Sequence, residues 1–109
     1  MEEVSFDDWK KLDIRAAKIL EVEKHPNADK LYIIKADIGE ENPRTIVSGL
    51  VGYYTAEELI GKRIIVFVNL KPAELRGIKS DGMLLAATED GKCVLLETDK
   101  EIKTGAKIS

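Results

Sequence analysis

Ile64-Ile65-Val66-Phe67-Val68 is a five-residue apolar run, mostly β-branched, ended by Asn69. A run of this length and composition suits a buried strand and is too short for a helix that could stand alone. A second apolar run, Met83-Leu84-Leu85-Ala86-Ala87, comes only after Pro72, Gly77 and Gly82, residues that interrupt regular structure. The stretch is expected to be strand, long loop, strand. It also concentrates charge, because between Lys62 and Lys79 the cations Lys62, Arg63, Lys71, Arg76 and Lys79 face a single acid, Glu74.

The rest of the chain repeats the same grammar. Asp13 to Glu23 alternates as a long strand, with Ile14, Ala16, Leu20 and Val22 on one parity and Ala17 and Ile19 on the other, so a bulge or bend is expected near Lys18. His25-Pro26-Asn27-Ala28-Asp29 is a turn by its chemistry, Leu31 to Ile38 a second strand, Gly39 to Pro43 a second turn, and Thr45-Ile46-Val47 a third strand ending at Ser48-Gly49. Thr55-Ala56-Glu57-Glu58 is a capping box that starts a short helix ahead of Gly61. Cys93 to Leu96 is expected to hairpin behind the fifth strand through Glu89-Asp90-Gly91. At the front, Ser5 to Lys11 reads as a short helix capped by Ser5, with Phe6, Trp9 and Leu12 at near-helical spacing; it must dock on the barrel or across a dimer seam to be stable.

Three strands, a short helix and two further strands is the element order of an OB-fold. The expectation is an all-β, five-stranded OB-fold barrel with a short helix between strands three and four, an N-terminal short helix and a C-terminal extension. With 109 residues, 44% of them hydrophobic, residues 1–109 make one domain.

Several functions are disfavoured on composition. A formal charge of -3 argues against indiscriminate attraction to polyanions, whereas a local basic strip still grips phosphate at short range. Cys93 is the only cysteine and His25 the only histidine, so neither a disulfide nor a zinc cluster is expected, and no metal, cofactor or catalytic nucleophile is predicted. Cys93 reads as a small buried hydrophobe. Tyr53-Tyr54 reads as a plug over the barrel end rather than a base-stacking platform. The N-terminus, starting at Met1 as an open reading frame would, lacks the basic and apolar regions of a signal peptide, and no apolar run approaches the roughly 20 residues of a membrane helix. A soluble, cytoplasmic, non-membrane protein is expected.

Asp13-Ile14-Arg15, His25 through Tyr32, Ile46-Val47-Ser48-Gly49-Leu50, Asn69 through Gly77 and Ser80 through Ala86 together resemble the tRNA-binding domain, and the likeness covers nearly the whole chain. That domain is found at the C-terminus of many methionyl-tRNA synthetases, as a separate beta subunit of some, and as free-standing structure-specific tRNA-binding proteins. The resemblance implies a homodimeric OB-fold that recognises the shape of tRNA without chemistry of its own. It implies an RNA-binding face made by Lys30, Ser48, Lys71, Arg76, Lys79, Ser80 and Met83, and a methionyl-tRNA synthetase catalytic subunit as partner. A dimer built partly from the C-terminal extension would use Phe6, Trp9, Val94, Leu96, Ile102 and Ile108. Nothing corresponds to the synthetase motifs HIGH and KMSKS, so aminoacylation by this chain alone is not expected. Two rivals stand beside this reading: an export-chaperone-like protein-binding module of the same fold, and a generic single-strand binder, which the aromatic content of 6% weakens.

Overall fold

The computed structural model describes residues 1–109, and the expected all-β barrel is the architecture found. β1 (Ile14–Lys24), β2 (Tyr32–Asp37), β3 (Arg44–Ser48), β4 (Arg63–Phe67) and β7 (Met83–Leu84) form an antiparallel sheet in the order β3-β2-β1-β4-β7, the neighbour order of an OB-fold. The long first strand makes this possible. Its first half pairs with β4, from Ile14 opposite Phe67 to Lys18 opposite Arg63, and its second half pairs with β2, ending at Lys24 opposite Tyr32. The register slips between Ile19 and Glu21, so the bulge lies at Leu20, slightly beyond the expected Lys18, and turns that side chain out to solvent.

Alternation then fills the barrel. Ala17, Ile19, Ile34, Ala36, Ile46, Ile64 and Val66 all point into one cluster, closed below by Leu59 of α2 (Ala56–Leu59). Thr55 caps that helix with a complete capping box, its Oγ accepting from the Glu58 N–H while the Glu58 carboxylate accepts from the Thr55 N–H. The N-terminal helix α1 is Phe6–Lys10, capped by Ser5, with no buried residue.

Closure of the barrel between β3 and β7 relies on few bonds. The Asp81 N–H donates to Thr45 O at 2.8 Å, and the Val47 N–H donates to Ser80 Oγ at 2.9 Å. Gly82, with φ +134°, sits so close to the interior that a Cβ there would meet Val66 Cγ1 at 3.3 Å. It is therefore a seal of the barrel as well as a break between strands.

Two expectations need correction. The segment 69–82 is not a structureless loop: β5 (Ala73–Leu75) and β6 (Ile78–Ser80) form a hairpin, turned at Arg76 and Gly77 with φ +53° and +87°. Positive φ at both central residues is the turn whose twist matches paired strands, and glycine supplies one of the two without strain. The fifth strand is also split. Leu85 lies between β7 and β8 (Ala86–Glu89), its N–H donating to Ile65 O while its own carbonyl accepts from Leu96, and β8 leaves the barrel to pair with β9 (Lys92–Leu95).

The C-terminal segment is an integral part of the wall. Where the first half of β1 has lost β2 as a neighbour, the chain end takes its place: Gly105 N–H donates to Ala16 O, Ala16 N–H to Ala106 O and Ile108 N–H to Ile14 O, each at 2.8 Å. Ile108, expected at a dimer seam, is thus half-buried against its own barrel.

Candidate nucleic-acid interface

The hairpin β5–β6 projects from the barrel, and the side chains that hold it come from every neighbouring element. At its base Asn69 bridges to the α1–β1 junction, its Oδ1 accepting from the Asp13 N–H at 2.8 Å and its Nδ2 donating to Lys11 O at 2.7 Å. Arg44 spans both ends of the excursion, donating from Nη1 to Val68 O at 2.6 Å and, more weakly, to Asp81 O at 3.4 Å. Ser80 is only 6% exposed; its hydroxyl accepts from Val47 and donates to Gly82 O at 3.3 Å. Its hydroxyl serves the barrel seam, so Ser80 shapes the expected binding face from beneath.

The other expected contact residues lie at the surface. Lys30, Lys71, Arg76 and Lys79 are exposed, Ser48 is half-buried at the end of β3, and Met83 is 44% exposed beside Leu70 and Lys71. Lys71, Leu75, Met83 and Val47 line a small cleft of about 170 Å³ under the hairpin. Lys30 stands in the β1–β2 turn, and that turn is tied to the hairpin tip by His25, a side chain 4% exposed whose Nε2 lies 2.9 Å from Leu75 O. Sequence reasoning read His25 as a turn residue only, and it passed over Arg44 and Asn69, since no local spacing shows partners so far along the chain.

Charge pairing separates two kinds of cation. The chain's ion pairs involve Lys11, Arg15, Arg44 and Lys62, while Lys30, Lys71, Arg76 and Lys79 have no carboxylate within 4.0 Å. Hydrogen bonds from Arg15, at 3.0 and 2.8 Å, hold the Asp13 carboxyl below the ordinary carboxylate range, partial desolvation opposing them. Arg44 does the same to Glu40 through two bonds of 3.1 Å. Both carboxyls titrate lower in the folded chain than in the unfolded one, so the stabilisation they bring is complete above the ordinary carboxylate range and is lost as the pH falls below that range through their lowered folded values. Thermal melts taken at decreasing pH are expected to show that loss. Arg44→Ala should remove part of the pH dependence and cost about 2 kcal/mol near neutrality, more from the orphaned Val68 carbonyl than from the solvent-screened Glu40 pair.

The remaining surface is different in kind. Tyr54 plugs the barrel end as expected, its carbonyl accepting from Tyr32 Oη at 2.9 Å and its hydroxyl accepting from the Leu95 N–H at 3.1 Å. Tyr53, by contrast, is about half exposed and takes no part in the plug. Cys93 is half-buried and free. Phe6, Trp9, Val94, Leu96 and Ile102 are all exposed.

Residues 14–107 match the family model described as "Putative tRNA binding domain". The chain belongs to the tRNA-binding domain family. This tRNA-binding domain is 56% identical over 108 residues to a methionine–tRNA ligase of Pyrococcus horikoshii, a match covering 99% of the chain and 15% of the ligase. Among solved structures it superposes on a MetRS-related protein from Pyrococcus horikoshii with a TM-score of 0.92 and 37% identity, each chain covered in full. The chaperone CsaA from Bacillus anthracis superposes with a TM-score of 0.88 and 30% identity, covering 99% of this chain and 100% of that one. The domain thus spans about 15% of the length of the ligase it matches, and the whole length of the two smaller proteins.

Proposed function

We propose that the chain binds folded tRNA without catalysis, through backbone contacts made by Lys30, Lys71, Arg76 and Lys79 with Ser48 and Met83 beside them. The observation that carries this reading is local charge: from Lys62 to Lys79 five cations face the single acid Glu74, and of these Lys71, Arg76 and Lys79, with Lys30 of the neighbouring turn, are exposed and free of ion pairs. Unpaired Lys and Arg can replace the condensed counterions of a phosphate backbone without first breaking an ion pair. Such contacts position a nucleic acid without reading its bases, so selectivity would come from the shape of the folded molecule.

The partner is proposed from the relatives. A likeness to one end-to-end portion of a methionine–tRNA ligase supports a cytoplasmic accessory domain or beta subunit that adds RNA affinity to a catalytic subunit, which would itself carry the chemistry. A homodimer is part of the proposal, with Phe6, Trp9, Val94, Leu96 and Ile102 as the seam and Ile108 behind it; two copies would double the basic face for one large RNA.

A protein-binding role is the second reading, favoured by the likeness to the chaperone CsaA and by Val94 and Ile102, 56% and 55% exposed. The generic single-strand reading is disfavoured. Glu21 and Glu23 are exposed on β1, and Glu23, Glu40 and Asp81 line the groove beside Lys79, carboxylates that would repel an extended strand laid along it. The test is anisotropy of fluorescent tRNA challenged with folded tRNA, unfolded tRNA, a single-stranded oligonucleotide and an unfolded protein. Competition by folded tRNA alone supports the proposal; equal competition by every RNA, or by the unfolded protein, rejects it for the corresponding rival.

A further inference from the structure

His25 and Ser80 are the two buried polar residues of the chain, and both anchor the same hairpin, Ser80 from its base by accepting from Val47 of β3 and His25 by its bond to Leu75 beside the tip. For a barrel that needs no polar interior this is a pointed arrangement. The tautomer of His25 follows from its partners. A backbone N–H, that of Asn27, donates to Nδ1 at 3.0 Å, so Nδ1 is bare. Nε2 therefore carries the proton and donates it to Leu75 O at 2.9 Å, immediately before Arg76. The main chain of His25 is fixed as well, its N–H donating to Leu31 O at 3.0 Å and closing the turn that presents Lys30. One neutral imidazole thus ties the turn of Lys30 to the turn of Arg76.

We infer that His25 is a positioning residue for RNA binding: it sets the Arg76 turn at a fixed distance from Lys30, so that the two cations meet one phosphate track. This rests on the tRNA-binding reading above. Arg76 sits at φ +53°, a conformation that L residues adopt only when their surroundings hold it, and the Leu75 carbonyl is the last backbone group before it. Apart from the imidazole, the two-residue turn is held by the three residue pairs of its own hairpin and by the packing of that hairpin on β3, where Leu75 faces Val47 and Met83 across the cleft.

The two ring nitrogens can be removed separately. His25→Gln places an amide N–H near the Nε2 position and retains the bond to Leu75, whereas His25→Asn can keep the acceptor for Asn27 but cannot reach the hairpin. The experiment measures tRNA affinity across a salt series for the wild type, His25→Gln, His25→Asn, Arg76→Ala and His25→Asn/Arg76→Ala, with 15N relaxation of the Arg76 and Gly77 amides in the RNA-free chain. The expected result is a loss of about fivefold in affinity for His25→Asn and recovery to within about twofold for His25→Gln. His25→Asn should also flatten the salt dependence by up to about one phosphate contact and add nothing in the Arg76→Ala background. The relaxation data should show the tip more mobile in His25→Asn alone.

Equal and full losses in both backgrounds, or a tip as ordered in His25→Asn as in the wild type, would overturn the inference. A wild type that binds no tRNA would instead sink the functional reading, and the relaxation measurement would still decide whether His25 holds the tip.

Discussion

Replacing Lys71, Arg76 and Lys79 together by alanine is expected to weaken tRNA binding by about two orders of magnitude at low salt while leaving the melting temperature nearly unchanged. All three are exposed and unpaired, so their loss removes no intramolecular bond. Each phosphate contact removed lowers the slope of log affinity against log salt by roughly 0.7 to 0.9, so the variant's dependence should be shallower by about 2 to 3. The change in slope matters more than the change in affinity. A weakened but equally steep response would mean that phosphate is gripped elsewhere.

The second large effect is on stability. Gly39 has φ +85°, and a Cβ there would lie 2.7 Å from Thr104 O and 2.8 Å from Gly105 Cα, both backbone atoms that no rotamer change can move. Gly39→Ala therefore combines a left-handed strain with an overlap that pushes the chain end away from β1, and about 3 kcal/mol of stability should be lost. The side-chain bond from Thr104 Oγ1 to Asp37 at 3.1 Å would be stretched with it. Hydrogen exchange locates the damage: the Ala16 and Ile108 amides, which bond across this seam, should lose protection before those of the β2–β3 pair. Uniform loss across the barrel would show that the chain end is not a separable part of the wall.

What the sequence made legible was local chemistry. The capping box at Thr55, the cap at Ser5, the Asp90-Gly91 turn and the alternation of β1 through β4 depend on residues close along the chain, and each element lies within a residue or two of its expected place. The hairpin at 73–80 was hidden because Pro72 and Gly77 read as breakers, although Ala73-Glu74-Leu75 and Ile78-Lys79-Ser80 flank a two-residue turn. Ser80 was expected in the binding face, and its role at the barrel seam was hidden because the backbone N–H it receives comes from Val47, far back in the chain. The place of the tail in the wall was hidden for the same reason: its partners, Ile14 and Ala16, lie at the other end of the sequence. The likeness to the tRNA-binding domain pointed to the basic segment but could not distinguish the cations that hold it, such as Arg44, from those free of ion pairs.

The central claim is that folded tRNA lies across the hairpin and the β1–β2 turn. It is tested most directly by titrating unlabelled tRNA into the 15N-labelled chain and following the amide signals. The largest changes are expected on residues 69–83 with Lys30 and Ser48, while Glu21, Glu23 and the β8–β9 hairpin stay still. Changes centred on Val94 and Leu96, or along the groove beside Glu23, with a quiet Arg76 and Gly77, would contradict it.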